Sequence, residues 1–204
     1  MRSAGLVLAA GSSSRMGSPK QLLELGGRPL LEVVLAAVNA SGLDDVVVVL
    51  GGAAERIQGE VDFGRARVVV NADYATGMSS SLRAGLHSLG PEAERVVVIL
   101  GDQPAITAEL LDRLLALQAG SGLPAAALSF DGMLHPPVVM ERSLWPGLES
   151  LEGDVGCRRL IRAQPQLVAA LPAPAAGHHP VDVDTPADYR RLLQATATEA
   201  RPSM

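Results

Sequence analysis

Ala4-Gly5-Leu6-Val7-Leu8-Ala9-Ala10-Gly11-Ser12-Ser13-Ser14-Arg15-Met16-Gly17-Ser18-Pro19-Lys20 is an apolar run that empties into a loop of small and polar residues. Ala4–Ala9 shows no polar alternation, the pattern of a strand covered on both faces, as in a parallel sheet. Three further runs repeat it: Val46–Leu50, Val68–Val70 and Val96–Leu100. Helical patterns separate them. Pro29 suits a first helical position, and Leu30, Val33, Val34, Ala37 and Val38 then recur on one face, with Gly42 as a stop. Ser79–Leu89 reads as a second helix. Thr107 caps a third, with Leu110, Leu111, Leu114 and Leu115 on one stripe. Strand and helix alternating in this way predict an α/β chain with helices on both faces of the sheet.

The second half is less regular. Ala125–Leu128 and Pro137–Val139 read as short strands around a turn at Asp131-Gly132, and Val155–Ala163 and Thr185–Ala195 as helices. Pro172–Pro180 is rich in Pro and Ala and reads as an exposed loop. No internal repeat or long linker interrupts the chain. One domain over residues 1–195 is expected, with a flexible tail over 196–204.

Hydrophobic residues make up 48% of the 204 and charged ones 19%, a globular balance. Aromatics are 2%, so Leu, Val and Ala must fill the core. The net charge of −5 argues against a nucleic-acid partner and leaves room for a small anion held by a few local cations. The single cysteine, Cys157, can form no internal disulfide. The apolar run after Met1-Arg2-Ser3 is too short for a signal peptide or a membrane span. A soluble cytoplasmic protein without a membrane partner is therefore expected.

Three segments carry chemistry. In the first loop, small residues let backbone N–H groups approach an anion, while Arg15 and Lys20 add positive charge suited to a triphosphate. Taken alone, the loop also fits a solvated Gly/Ser connection. It is neither a Walker A loop nor a Gly-x-Gly-x-x-Gly fingerprint. The second segment, Leu100-Gly101-Asp102-Gln103-Pro104, sets a carboxylate at the end of the strongest strand. The third, Val181-Asp182-Val183-Asp184-Thr185-Pro186-Ala187-Asp188, places Asp182 and Asp184 on one side of an extended segment before a helix. Mg²⁺ needs one or two carboxylates plus phosphate oxygens, and Asp102 with Asp184 could supply them. Each Asp also has a plainer reading, as a turn opener or a helix cap; for Asp188 the cap is preferred.

These segments, with Asn71–Leu86, His135-Pro136 and Gly153-Asp154-Val155-Gly156-Cys157-Arg158, stand in one order along the chain to Leu193. In that order they resemble the nucleotidyltransferases of the molybdenum-cofactor type, and within them those that transfer a cytidylyl group. The resemblance implies a Rossmann-like three-layer α/β/α fold with a mostly parallel mixed sheet, like that of nucleotide-diphospho-sugar transferases. It implies transfer of CMP from CTP to a molybdopterin-type acceptor with release of pyrophosphate, Mg²⁺ as cofactor, and a molybdoenzyme or its chaperone as a possible partner. The implied nucleotide site is Leu8, Ala9, Ala10, Gly11, Ser12, Ser13, Ser14, Arg15, Lys20, Gly77, Ser79, Ser80 and Asp102. Arg15, Lys20 and Asp102 are its catalytic members, Asp102 and Asp184 the metal ligands, and His135, Asp154 and Arg158 the acceptor side. The chain departs from the pattern at Leu134, where Gly usually precedes His-Pro, and at Cys157, where a small residue such as Ala is usual. Alternatives stay open: guanylyl or other nucleotidyl transfer to an acceptor such as a sugar phosphate, a nucleotide-binding accessory role beside a molybdoenzyme, or an oxidoreductase on the same scaffold.

Overall fold

The computed structural model describes residues 1–11, 18–173 and 182–199. Expectations for Ser12 to Ser14, for Arg15 and for the His178-His179 pair fall outside the described residues. In chain order the elements are β1 (Ser3–Ala9), β2 (Glu24–Leu25), β3 (Arg28–Pro29), α1 (Leu30–Ala40), β4 (Asp45–Leu50), α2 (Ala54–Glu60), β5 (Arg67–Val70) and α3 (Met78–Ser88). There follow β6 (Arg95–Leu100), α4 (Ala108–Ser121), β7 (Ala125–Phe130), β8 (Met133–Glu141), α5 (Trp145–Glu149), α6 (Arg158–Ala163), β9 (Val168–Pro172) and α7 (Pro186–Glu199).

Seven strands form one sheet in the order β5-β4-β1-β6-β8-β7-β9, and β2 and β3 make a separate small hairpin. The pairs β1–β4, β1–β6, β4–β5 and β7–β9 are parallel, while β8 runs antiparallel to both β6 and β7. The reversal of β8 has a local cause. Asp131 and Gly132 join β7 to β8 with φ of 48° and 71°, the two-residue turn whose twist suits a tight hairpin. The sheet is therefore mostly parallel and mixed.

Side chains along β1 alternate between two cores. Val7 and Ala9 pack with Leu31, Val34, Leu35 and Val38 of α1, Ile57 of α2 and the leucine stripe of α4. Leu6, Leu8 and Ala10 pack with Leu82 and Leu86 of α3, Trp145 and Leu148 of α5 and Ile161 of α6. Helices cover both faces, giving a three-layer, Rossmann-like α/β/α sandwich. Thr107 accepts a hydrogen bond from Leu110 N at 3.2 Å, the expected cap of α4. Trp145 is 5% exposed, with the Arg142 guanidinium 4.7 Å from its ring centre.

Several expectations need correction. Val68–Val70 lies in β5, an edge strand, and Val70 is 55% exposed rather than covered on both faces. The buried stripe of α1 is Leu30, Leu31, Val34, Leu35 and Val38, with Val33 and Ala37 only half-buried, and Pro29 precedes the helix. The helix expected from Val155 begins at Arg158. Pro172 ends a strand, β9, that adds to the edge of the sheet beside β7. The last helix continues to Glu199, so residues 196–199 of the expected tail are helical.

Candidate nucleotide and metal site

β1 and β6 are adjacent and parallel, with Leu8 beside Leu100, so the residues following each strand emerge together at one edge of the sheet. Gly101 N still donates to Leu8 O at 2.9 Å, which carries the pairing one residue past β6 and sets Asp102 near Ala10 and Gly11. Gly101 is needed there: a Cβ would lie 2.9 Å from the Ala9 Cβ and 3.1 Å from Leu31 Cδ1. The carboxyl ends of parallel strands are where open α/β sheets receive ligands.

A cavity of about 680 Å³ opens at this edge. Its floor is Leu8, Ala9, Ala10, Gly11, Leu100, Gly101 and Asp102, and one wall is Tyr74–Met78 with Ser81. Lys20 and Gln21 border it, as do Asp154, Asp182 and Asp184. Lys20 Nζ hydrogen-bonds Asp102 Oδ2 in a short contact and lies 2.9 Å from Asp184 Oδ1. Two carboxylates from distant parts of the chain, Asp102 and Asp184, thus meet at one ammonium.

What aims each side chain is visible. Gln21 is 2% exposed, and its Nε2 donates to Ala9 O at 2.7 Å and Gly11 O at 3.3 Å, fixing the entrance of the first loop next to Lys20. Val183 is buried, and its N–H donates to Asp102 O at 3.2 Å. Asp182 beside it accepts from Gln103 Nε2 at 2.6 Å and from an Arg158 N–H at 3.2 Å. Those bonds pin the segment that presents Asp184. Asp188, not Asp184, serves the helix start: its carboxylate accepts from Thr185 N at 2.8 Å while Thr185 Oγ1 accepts from Asp188 N at 3.2 Å, a reciprocal cap.

Among the described residues lining the cavity, four are aspartates and one is a lysine. Burial pulls the Lys20 ammonium toward its neutral form, but the charges and hydrogen bonds of Asp102 and Asp184 outweigh it, so its pKa stands above the ordinary lysine value. Burial also pushes the Asp102 carboxyl up, with Asp182 and Asp184 adding to the rise and Lys20 pulling the other way without cancelling it. A carboxylate in that state gains from a stronger cation than one ammonium. The donor set fits a hard divalent ion: two carboxylates meeting at one point, facing a cavity with room for phosphate oxygens.

The remaining expected residues are placed as follows. Gly77 is in the cavity wall with φ of 113°, and the Gly153-Asp154 backbone packs directly against it, the Asp154 carboxylate accepting weakly from Met78 N at 3.4 Å. Ser79 and Ser80 line a second cavity of about 560 Å³, while Ser81 lines the first. Ser80 Oγ is engaged with Gly77 O at 2.8 Å and with Asn71 Nδ2 at 2.8 Å. Arg158 contacts Asp182 of the cavity lining, and His135 sits on β8 opposite Leu128 and is not itself among the lining residues. Burial pushes the Cys157 thiol up to about 12, which suits a packing residue rather than a nucleophile.

Sequence reasoning missed Gln21 and Tyr74. A signal for the tyrosine exists: the Gly51-Gly52 pair after β4 marks a close approach, and Cβ atoms there would meet the Tyr74 ring at 2.8 Å and its hydroxyl at 2.4 Å. Gln21 carries no comparable signal, because its role is made by carbonyls it meets through space.

Residues 5–171 match the family model described as a MobA-like NTP transferase domain. The nicotine blue oxidoreductase of Paenarthrobacter nicotinovorans is 33% identical over 200 residues, covering 93% of this chain and 95% of that protein. The crystal structure of a homologue of Mycobacterium tuberculosis Rv0371c, from Mycobacterium sp. strain JC1, superposes with a TM-score of 0.86 at 36% identity, covering 98% of this chain and all of the other. Rv0371c of M. tuberculosis H37Rv itself, solved in complex with manganese, gives a TM-score of 0.81 at 32% identity, covering 95% of this chain and 99% of that one.

Proposed function

The chain belongs to the family of MobA-like NTP transferase domains and is a nucleotidyltransferase, and we propose that it transfers CMP from CTP to the phosphate of a molybdopterin-type acceptor. The observation that carries this reading is the meeting of Asp102 and Asp184 at Lys20, on the floor of a cavity at the carboxyl ends of β1 and β6. A cavity with four aspartates repels a bare triphosphate. It accepts one that arrives with a divalent ion, and the manganese complex of the relative supports that choice. Mg²⁺ is the proposed ion here, held by Asp102 and Asp184.

The backbone at Ala10 and Gly11 approaches the phosphates, and Ser12, Ser13 and Ser14 are assigned to the same role. Lys20, with Arg15, balances the charge of the β- and γ-phosphates. Gly77 and Ser81 border the base and ribose, with Ser79 and Ser80 setting the backbone behind them. Asp154, Arg158 and His135 are assigned to the acceptor side. When bound, the ion supplies neutralisation of phosphate charge and a fixed triphosphate geometry. An oxygen of the acceptor phosphate attacks the α-phosphorus in line. One P–O bond forms, the bond from the α-phosphorus to the bridging oxygen breaks, and pyrophosphate leaves with that electron pair. Positioning and charge balance carry such a reaction, so no covalent nucleophile is required. A molybdoenzyme or its chaperone would receive the product.

The test incubates purified protein with Mg²⁺, molybdopterin and each nucleoside triphosphate in turn, with mass spectrometry of the products. Expected are the cytidylyl adduct and pyrophosphate, with less product from GTP. Equal or better use of GTP removes the cytidylyl reading, and transfer to sugar phosphates alone removes the acceptor. The name of the nicotine blue relative favours a second reading, a redox reaction in the same cavity. It predicts oxidation of a reduced nicotinamide dinucleotide by an organic acceptor, with no pyrophosphate released.

A further inference from the structure

Lys20 is the one lysine in the chain, among sixteen arginines. It stands between the carboxylates of Asp102 and Asp184. An arginine fork is planar and spreads its charge, whereas an ammonium is a compact point charge with donors in three directions. Such a charge can sit between two carboxylates from different segments much as a metal ion would. The Lys20 side chain is 16% exposed and that of Asp102 12%, so neither charge is well screened by water. Bound this way, the ammonium and a divalent ion would compete for the same oxygens.

We propose that Lys20 holds the cation position between Asp102 and Asp184 until nucleotide binds, and then moves onto the triphosphate as the divalent ion takes its place. The inference rests on the reading of Asp102 and Asp184 as metal ligands. Its consequence is an obligatory partnership. Metal alone must displace the ammonium from two carboxylates without bringing it another anion. Nucleotide alone meets four carboxylates. Together, the triphosphate gives Lys20 a new partner and the ion gives the aspartates theirs, so each raises the other's affinity by the same factor. Lys20 thus keeps the carboxylates paired and correctly aimed in the empty site, and makes metal entry conditional on nucleotide.

The test measures free Mn²⁺ by electron paramagnetic resonance during titration of the wild-type chain and Lys20→Met, each with and without CTP. Without CTP, Lys20→Met should bind Mn²⁺ on the order of tenfold more tightly than wild type. CTP should tighten Mn²⁺ binding on the order of tenfold or more in wild type, and far less in the variant. Equal affinities of the two proteins without CTP would overturn the exchange and leave the metal site standing. No Mn²⁺ bound by wild type even with CTP would overturn the metal site and the exchange together. A second measurement needs no variant. Isotope labelling at lysine gives one side-chain signal in this chain, and it should shift with Mg²⁺ and CTP together but not with Mg²⁺ alone. A full shift with Mg²⁺ alone would also overturn the conditional exchange.

Discussion

At the scale of single residues, two positions in the cavity make sharp predictions. Gly77 has φ of 113°, and a Cβ there would meet the Gly153 carbonyl carbon at 2.3 Å and the Asp154 nitrogen at 2.5 Å. Those are backbone atoms that cannot turn aside, and the φ itself is strained for an L side chain. Gly77→Ala should therefore cost about 1–3 kcal/mol of stability and push the loop carrying Asp154 out of the cavity wall. Denaturant unfolding reads the first effect and steady-state transfer the second; a variant with normal stability and turnover would show that the two loops need not touch. Ala10, 7% exposed on the cavity floor, makes the milder one. On the proposed reading its methyl group narrows the base side, a difference worth about 1–3 kcal/mol in discrimination. Ala10→Gly should raise the use of GTP relative to CTP without reversing the preference, as competition between the two nucleotides would reveal.

At the scale of elements, the start of α7 is held by the reciprocal Thr185–Asp188 cap. Hydrogen bonds from Thr185, then Arg191, hold the Asp188 carboxyl below its usual pKa. A depressed folded value means the stabilisation is complete above the ordinary carboxylate range and is lost as pH falls through that lower value. Asp188→Ala should cost about 0.5–2 kcal/mol near neutrality, seen as faster amide exchange in the first turn of α7, and the gap from wild type should close on acidification. Legibility also divided by element. β1, β4 and β6 carry unbroken apolar runs, Val-rich in the latter two, whose covering on both faces is written into their composition, and they hold the site. β5 has the same appearance but lies at an edge, because nothing in Arg67–Val70 says how many neighbours a strand will have. β9 is short, rich in alanine and closed by Pro172, so only its pairing with β7 makes it a strand. The site followed the same division: Asp102 could be located from the strand end it follows and Asp184 from the helix start it precedes, whereas Gln21 and Tyr74 gain their places from partners distant in sequence.

At the scale of the whole molecule, apolar side chains fill the cores on both faces of the sheet, so the fold should not depend on the ion. Chelation with EDTA should stop transfer while leaving the melting temperature of the nucleotide-free chain unchanged. Mg²⁺ and CTP supplied at about a hundred times the dissociation constant should add about 2.7 kcal/mol, a rise in Tm of about 5–10 °C for a domain of this size. A large fall in Tm with EDTA would make the ion structural instead. Trp145 offers a way to watch the chain unfold. It is the only tryptophan, enclosed beneath α5 with Arg142 against its ring and its Nε1 directed at Met140 O. The protein's near-ultraviolet emission is in effect the report of a single lamp set into the layer beneath α3, α5 and α6, away from the nucleotide cavity. Its colour should stay constant through catalytic turnover and redden only when that layer opens to water, which separates loss of fold from loss of function in one cuvette.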